Sequence, residues 1–118
     1  MSITLYGLDN CDTCKKARKW LDRQRVDHSF VDYRKTPVPA PTLKSWAQRV
    51  GGWEALVNRS STTWRNLPPM RKSPGSDPEW TLLIKEYPAL VRRPVAVVGD
   101  DVHVGFKDAL YKKLFASA

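Results

Sequence analysis

The spacing of apolar residues changes abruptly near the start of the chain. Residues 2–6, SITLY, mix β-branched, aromatic and aliphatic side chains before Gly7, which predicts a short strand. After Asp12 the apolar positions recur at helical spacing, while lysines and arginines occupy the other faces. These apolar positions are Cys14, Ala17, Trp20 and Leu21. The pattern predicts an amphipathic helix of about three turns that fades near Gln24, with Asn10 as its N-cap.

The middle of the chain is predicted to be mainly helical. Residues 26–33, VDHSFVDY, indicate a second strand, and the prolines of the following TPVPAP exclude regular helix. From Leu43 to Val50 the apolar residues follow the i, i+3, i+4, i+7 spacing of a helix, which the pair Gly51-Gly52 ends. Pro78 is well placed to begin a further helix, which ends near Pro88.

Two β-rich runs near the C-terminus are typical of a hairpin. They lie within RRPVAVVGDDVHVGF and are joined by Gly99, Asp100 and Asp101. The stripe of Phe106, Leu110 and Leu114 then predicts a closing helix.

The order strand, helix, strand, helices, hairpin, helix favours an α/β layer arrangement. A helical crossover should make the first two strands parallel, whereas the hairpin must be antiparallel. We therefore expect one domain spanning residues 1–118, with a mixed four-stranded sheet and a helical insertion at about 40–90. This outline is compatible with a thioredoxin-like (glutaredoxin-like) three-layer fold.

The chain is strongly basic, with 20 Lys and Arg against 12 Asp and Glu and a net charge of +8. Such an excess favours acidic partners, although the basic residues are dispersed and a solubilising surface is the simpler interpretation. No basic patch is interleaved with stacking aromatics, so we expect no direct nucleic-acid binding. The chain also lacks an apolar run of the roughly 18 residues that a membrane span needs, and it lacks a signal-peptide pattern. These features predict a cytoplasmic protein without membrane contact.

The only two cysteines, Cys11 and Cys14, lie where the first predicted strand gives way to the helix. Unpaired N–H groups and the helix dipole favour an anion there, and thiolates at such sites can have pKa values of about 3.5–7.5. Lys15 adds to this effect and Asp12 opposes it. Cys11 is therefore placed as a nucleophile. Cys14 lies on the same helical face, within disulfide reach, so it can act as a resolving thiol.

The cysteine pair also admits a structural role and a metal-binding role. Cys14 falls on the apolar stripe and can equally be a core residue, which would make the protein a binding module with inert cysteines. A structural zinc site needs four ligands, and only His28 and His103 could join the cysteines, so we expect no metal site. A CxxC motif beside a βαβ pattern is nevertheless a recognised redox signature.

Three motifs make the chain resemble one family of bacterial proteins. The runs LYGLDNCDTCKKARKWL, GWEALVNRSSTTWRNL (residues 52–67) and RRPVAV with VGFK resemble the family of arsenate reductase (ArsC), Spx and YffB proteins. The similarity extends from about residue 3 to residue 115, and NRSSTTWR is most similar to the YffB branch. The resemblance implies a thioredoxin fold and a place in the bacterial cytosol.

The resemblance also assigns site residues. Cys11 matches the nucleophilic cysteine of the family, and Arg59 lies in the segment where the family keeps a basic residue near the thiolate. Arg93 and Pro94 match an Arg-Pro pair whose proline is cis in thioredoxin-like folds. Without the resemblance, both arginines would be taken as ordinary surface residues. With it, they are expected to stabilise the thiolate and to hold the carboxylates of glutathione or the charge of an oxyanion.

The functions implied are of two classes. The first is a thiol-dependent reductase without a bound cofactor, using glutathione or a glutaredoxin-type thiol as electron donor. The second is an Spx-like redox-sensing regulator that binds the alpha subunit of RNA polymerase. A glutaredoxin-dependent arsenate reductase ranks third, because Phe106 stands where those enzymes use a third arginine. Cys14 is itself a departure, since many relatives carry only the first cysteine.

Overall fold

A mixed four-stranded sheet forms the centre of one of the two units into which the chain divides. The structure, a computed structural model, describes residues 3–115. Within that range the first unit contains residues 3–32 and 93–115, and the second contains Tyr33–Arg92.

The strands of the first unit are β1 (Ile3–Gly7), β2 (Ser29–Asp32), β3 (Val95–Val98) and β4 (Asp101–Val104). Their order is β2-β1-β3-β4, with β1 parallel to β2 and the other two pairs antiparallel. The helices of this unit are α1 (Asp12–Arg23) and, after the helices of the second unit, α6 (Asp108–Phe115). The arrangement confirms the predicted α/β, thioredoxin-like fold with a mixed sheet.

The alternating burial along β1 shows which face of the strand packs in the core of this unit. Ile3, Leu5 and Gly7 are buried whereas Thr4 and Tyr6 between them are only partly buried, as the two-residue period of a strand requires. The buried side chains of β1 share one cluster with residues of α1, β3 and α6: Ile3, Leu5, Ala17, Trp20, Leu21, Ala96, Tyr111 and Phe115. Trp20 meets Tyr111 edge to face at a centroid distance of 5.6 Å, a favourable geometry for aromatic rings.

Two local predictions for the first unit need correction. The N-cap of α1 is Cys11, not Asn10, because the Cys11 N–H donates to the Leu8 carbonyl (3.2 Å) in the turn after β1 and leaves Cys11 as the last extended residue. The second strand is shorter than predicted. It lies at the edge of the sheet and pairs only with β1, over the four residues Ser29–Asp32.

The closing helix also differs from its predicted stripe. Its fully buried residues are Tyr111 and Phe115, while Phe106, Leu110 and Leu114 pack against the cluster only partly buried. Tyr111 sits between Phe106 and Phe115, with edge-to-face contacts to both at 4.7 and 5.4 Å. The sequence spacing predicted the helix correctly, but the most buried residues of the helix lie on the face next to the predicted one.

The second unit is built from helices and turns. Its helices are α2 (Ala40–Val50), α3 (Trp53–Leu56), α4 (Thr62–Arg65) and α5 (Asp77–Glu86). Gly51 ends α2 in the left-handed conformation (φ 106°), as the Gly-Gly pair predicts. Pro78 lies in the first turn of α5, as predicted, after the capping hydroxyl of Ser76. Among residues 3–115, none of the helices has the length and apolar character required to cross a membrane.

Three tryptophans stack inside this unit. The Trp80 ring lies nearly parallel to those of Trp53 and Trp64, with centroid distances of 6.0 Å to each. The Trp53 Nε1–H donates to Asp77 Oδ1 (2.8 Å) at the start of α5. The stack therefore joins α3, α4 and α5 although two of these helices have only four residues each.

The burial pattern predicts a large difference between two helical leucines. Leu21→Ala should lower the free energy of unfolding by about 2–5 kcal/mol, because Leu21 is completely buried (0% exposed) in the first unit. The matched control Leu82→Ala, at a position 54% exposed, should change it by about 0.5 kcal/mol or less. Urea denaturation followed by circular dichroism measures both values. Equal losses in the two variants would contradict the assigned core.

Candidate active site

The cysteine pair lies at the point where the chain leaves the sheet and begins α1. Cys11 has the extended backbone of an N-cap (φ −96°, ψ 122°), and its side chain is partly exposed. Cys14 lies in the first turn of α1 and is buried. Both thiols are free. One sulfur is therefore accessible to a reactant while the other is sheltered.

Pairing in the sheet brings Arg93 to this point. In the antiparallel β1–β3 pair, Tyr6 is opposite Val95, so the residues just before β3 lie beside the residues just after β1. The Arg93–Pro94 bond is cis, as the family resemblance implies. The Pro94 carbonyl accepts a hydrogen bond from Gly105 N–H (2.9 Å), which ties this segment to the end of β4.

The surroundings of Cys11 stabilise its thiolate. Burial alone would raise the pKa of Cys11. Hydrogen bonds from the N–H and thiol of Cys14 and from the Arg93 guanidinium, together with the charge of Arg93, outweigh burial. The pKa of Cys11 therefore lies below the usual value of a thiol.

Cys14, in contrast, is held in its protonated state. Burial raises the pKa of Cys14 to about 12, and a negative charge on Cys11 adds to the rise, against an opposing hydrogen bond from the backbone of Leu8. At neutral pH this thiol is protonated and can donate to the Cys11 sulfur. The two residues of one motif thus have pKa values displaced in opposite directions.

Gly7 creates the space that Cys14 occupies. A Cβ atom at Gly7 would lie far inside van der Waals contact with the Cys14 sulfur, so any larger residue would displace it. The sequence marks Gly7 only as the end of a strand. Its role, and that of the Leu8 backbone, become visible only once α1 is folded against the strand end.

Tyr111 is a buried residue whose pKa responds to the charge of Cys14, and sequence reasoning did not connect the two residues. Its hydroxyl is buried and has no hydrogen-bond partner among the described residues. Burial and the charge of a Cys14 thiolate both raise the pKa of Tyr111, so this group stays protonated. No sequence signal links residue 111 to the cysteines, because α6 reaches α1 only through the folded core.

Three other residues singled out in the sequence are Lys15, Arg59 and Phe106. Lys15 is exposed on α1. Arg59 belongs to the second unit, where its guanidinium pairs with Glu54 (3.5 Å), and its assignment to the thiolate stays a prediction. Phe106 packs edge to face on Tyr111 and presents no charged donor. Within residues 3–115, the structure groups no three His, Cys, Asp or Glu side chains in a way that could hold a metal ion.

Comparison with known proteins finds relatives that are ArsC-related, YffB and Spx proteins. A sequence profile described as the ArsC family matches residues 6–114. The solved structure of the YffB protein is 35% identical, with a TM-score of 0.87, and the match covers 95% of this chain and 97% of that one. An arsenate reductase (ArsC) related protein from Brucella melitensis is 42% identical, with a TM-score of 0.76 and coverage of 98% and 95%. The global transcriptional regulator Spx 2 of Bacillus anthracis is 26% identical, over 94% of this chain and 85% of its own length.

The opposed pKa values predict selective alkylation. Iodoacetamide should modify Cys11 with a midpoint pH below that of an ordinary thiol, because the rate falls only when the pH drops through the lowered pKa of Cys11. Cys14 should stay unmodified at neutral pH. Peptide mass spectrometry across a pH series measures both.

Arg93→Gln should raise that midpoint, since it removes a hydrogen bond and a positive charge from the thiolate. The matched control is Arg92→Gln, because the Arg92 side chain donates to the Ala55 carbonyl (3.0 Å) instead. An unchanged midpoint in Arg93→Gln, or labelling of both cysteines at one rate, would contradict the assigned electrostatics.

Proposed function

The chain belongs to the ArsC family, and we propose that it is a thiol-dependent reductase that acts on glutathione mixed disulfides through Cys11. The observation that carries the proposal is the asymmetry of the pair, in which a partly exposed Cys11 has a lowered pKa and a buried Cys14 has a raised one. This combination supplies a thiolate for attack and a protonated thiol for the later step.

In the first step the Cys11 thiolate attacks the glutathione sulfur of the mixed disulfide. A bond forms between Cys11 and that sulfur, the original S–S bond breaks, and the leaving thiolate takes a proton from solvent. The Arg93 guanidinium, which stabilises the Cys11 thiolate beforehand, is also suited to a carboxylate of glutathione. Arg59 would offer a second such group.

In the second step a thiolate attacks the Cys11 sulfur and releases glutathione. Once Cys11 is covalently bonded it carries no charge, so the part of the Cys14 pKa elevation that comes from that charge disappears. Cys14 can then lose its proton and close a Cys11–Cys14 disulfide, which two further glutathione molecules reduce while becoming oxidised glutathione. Alternatively, a free glutathione thiolate attacks the glutathione sulfur of the adduct, so that Cys11 leaves as a thiolate and oxidised glutathione forms directly.

Phe106 makes arsenate a less suitable substrate. A bound oxyanion needs enough donors to replace its hydration, and at position 106 a phenylalanine packed on Tyr111 supplies none. The reductase proposed here is consequently directed to disulfide sulfur.

A second function, that of a redox-sensing regulator, is favoured by one specific observation. The relatives include Spx regulators, and this chain has a thiol pair that could form a switch disulfide. In that role the Cys11–Cys14 bond would alter affinity for the alpha subunit of RNA polymerase, and the net charge of +8 suits an acidic partner.

Single substitutions separate the roles of the two cysteines. Cys11→Ser should reduce glutathione-dependent reduction of a mixed disulfide to background, because a hydroxyl cannot replace the thiolate. Cys14→Ser should retain the first step and, when free glutathione is withheld, accumulate protein that carries one glutathione on Cys11. NADPH consumption through glutathione reductase measures turnover, and intact-protein mass spectrometry detects the adduct. Appreciable turnover by Cys11→Ser would rule out the proposed nucleophile.

The regulator and the reductase differ in their binding behaviour. If the chain is a reductase, the oxidised and reduced forms should bind the polymerase alpha subunit equally weakly in a pull-down. Cys14→Ala, which cannot form the disulfide, serves as the control. Strong binding that depends on the oxidation state, and that is lost in Cys14→Ala, would establish the switch in place of the reductase.

A further inference from the structure

The second unit contains a groove that takes no part in the cysteine chemistry. It has a volume of about 590 Å³, within the roughly 300–1,000 Å³ typical of small-molecule sites. Its walls come from the segment before α2, from α2 itself and from α5. Every lining residue belongs to Tyr33–Arg92.

The floor of the groove is apolar. Leu43, Trp46 and Ile84 are buried side chains of two helices that form it. Tyr33 also lines the groove, and its hydroxyl donates to the Val91 carbonyl (3.0 Å), which fixes the orientation of the phenol.

One wall is preformed by proline. Pro37 and Pro39 flank Val38 in the segment before α2, and Pro88, after α5, also lines the groove. Fixed φ angles limit how far such a wall can collapse when the groove is empty. A preorganised wall also lowers the entropic cost of binding.

The charges on the rim are all positive. The exposed residues Arg34 and Lys85 line the groove, and the described lining contains neither Asp nor Glu. Leu82, which is 54% exposed, adds apolar surface beside Lys85. The nearby carboxylate of Glu86 is engaged by the Arg71 guanidinium through two hydrogen bonds of 2.9 and 3.1 Å.

We propose that this groove binds a small organic anion with an apolar body, of the class of a medium-chain carboxylate. The apolar floor takes the hydrocarbon part, and the exposed ammonium group of Lys85 pairs with the carboxylate. A second copy of the chain fits less well, because each copy carries a net charge of +8 and would bring another basic surface toward the first.

Decanoate, with decanol as its uncharged counterpart, tests the proposal by isothermal titration calorimetry on the full chain. Decanoate should bind saturably with one molecule per chain and about threefold to fivefold more tightly than decanol, the upper part of the range expected of an exposed ion pair. Lys85→Glu should weaken decanoate binding by a similar factor. Leu82→Glu, a second exposed variant that places a carboxylate on the groove, should act in the same direction.

Lys113→Glu is the matched control, because it makes the same change of charge on α6 of the first unit and should leave decanoate affinity within about twofold. Cys11→Ser should bind decanoate like the unaltered chain, so failure of the reductase proposal and failure of this one are distinguishable. Equal affinity for decanoate and decanol, or equal weakening by Lys85→Glu and Lys113→Glu, would overturn the proposal. So would a concentration-dependent dimer in light scattering that Leu82→Glu dissociates, which would assign the groove to a second copy.

Discussion

The buried sulfur of Cys14 fixes how α1 leaves the sheet. Gly7 ends β1 without a side chain, and the sulfur occupies the space where a Cβ would stand. Because the first turn of α1 is anchored there, Cys11 is held at the start of the helix with its side chain partly exposed. Exposure of one thiol and burial of the other therefore have a single geometric cause. The CxxC spacing supplies the two residues, but close packing of a helix turn on a glycine makes them unequal.

The difference in pKa between the two cysteines is a consequence of that packing. Cys14 has lost water, which raises its pKa, and its proton can then be donated to the neighbouring sulfur. Cys11 accepts that hydrogen bond and others from backbone and Arg93, which lowers its pKa in spite of partial burial. The register of the sheet brings Arg93 close to Cys11, since the start of β3 lies opposite the end of β1. A one-residue slip of that pairing would turn the preceding segment away from the thiolate.

Local periodicity predicted much of this architecture. The helical stripe beginning at Cys14, the Gly-Gly end of α2 and the C-terminal hairpin are all encoded within a few residues of the features they determine. What escaped prediction depends on partners distant in sequence. Asn10 looked like the better cap by residue type, yet the turn after β1 makes Cys11 the last extended residue. Tyr111 is buried because the core meets that face of α6, which no local pattern specifies.

The second unit shows why one chain can carry two separate chemistries. The insertion Tyr33–Arg92 lies between β2 and β3, and its two ends meet, since the Tyr33 hydroxyl donates to the Val91 carbonyl. An insertion whose ends are close leaves the strands that flank it free to keep their pairing. Its own core, with the stacked tryptophans, then fixes α5. Surface residues such as Lys85 can vary there without altering Gly7, Cys14 or the register that holds Arg93. The basic surplus of the chain can consequently serve a thiolate in one unit and an organic anion in the other.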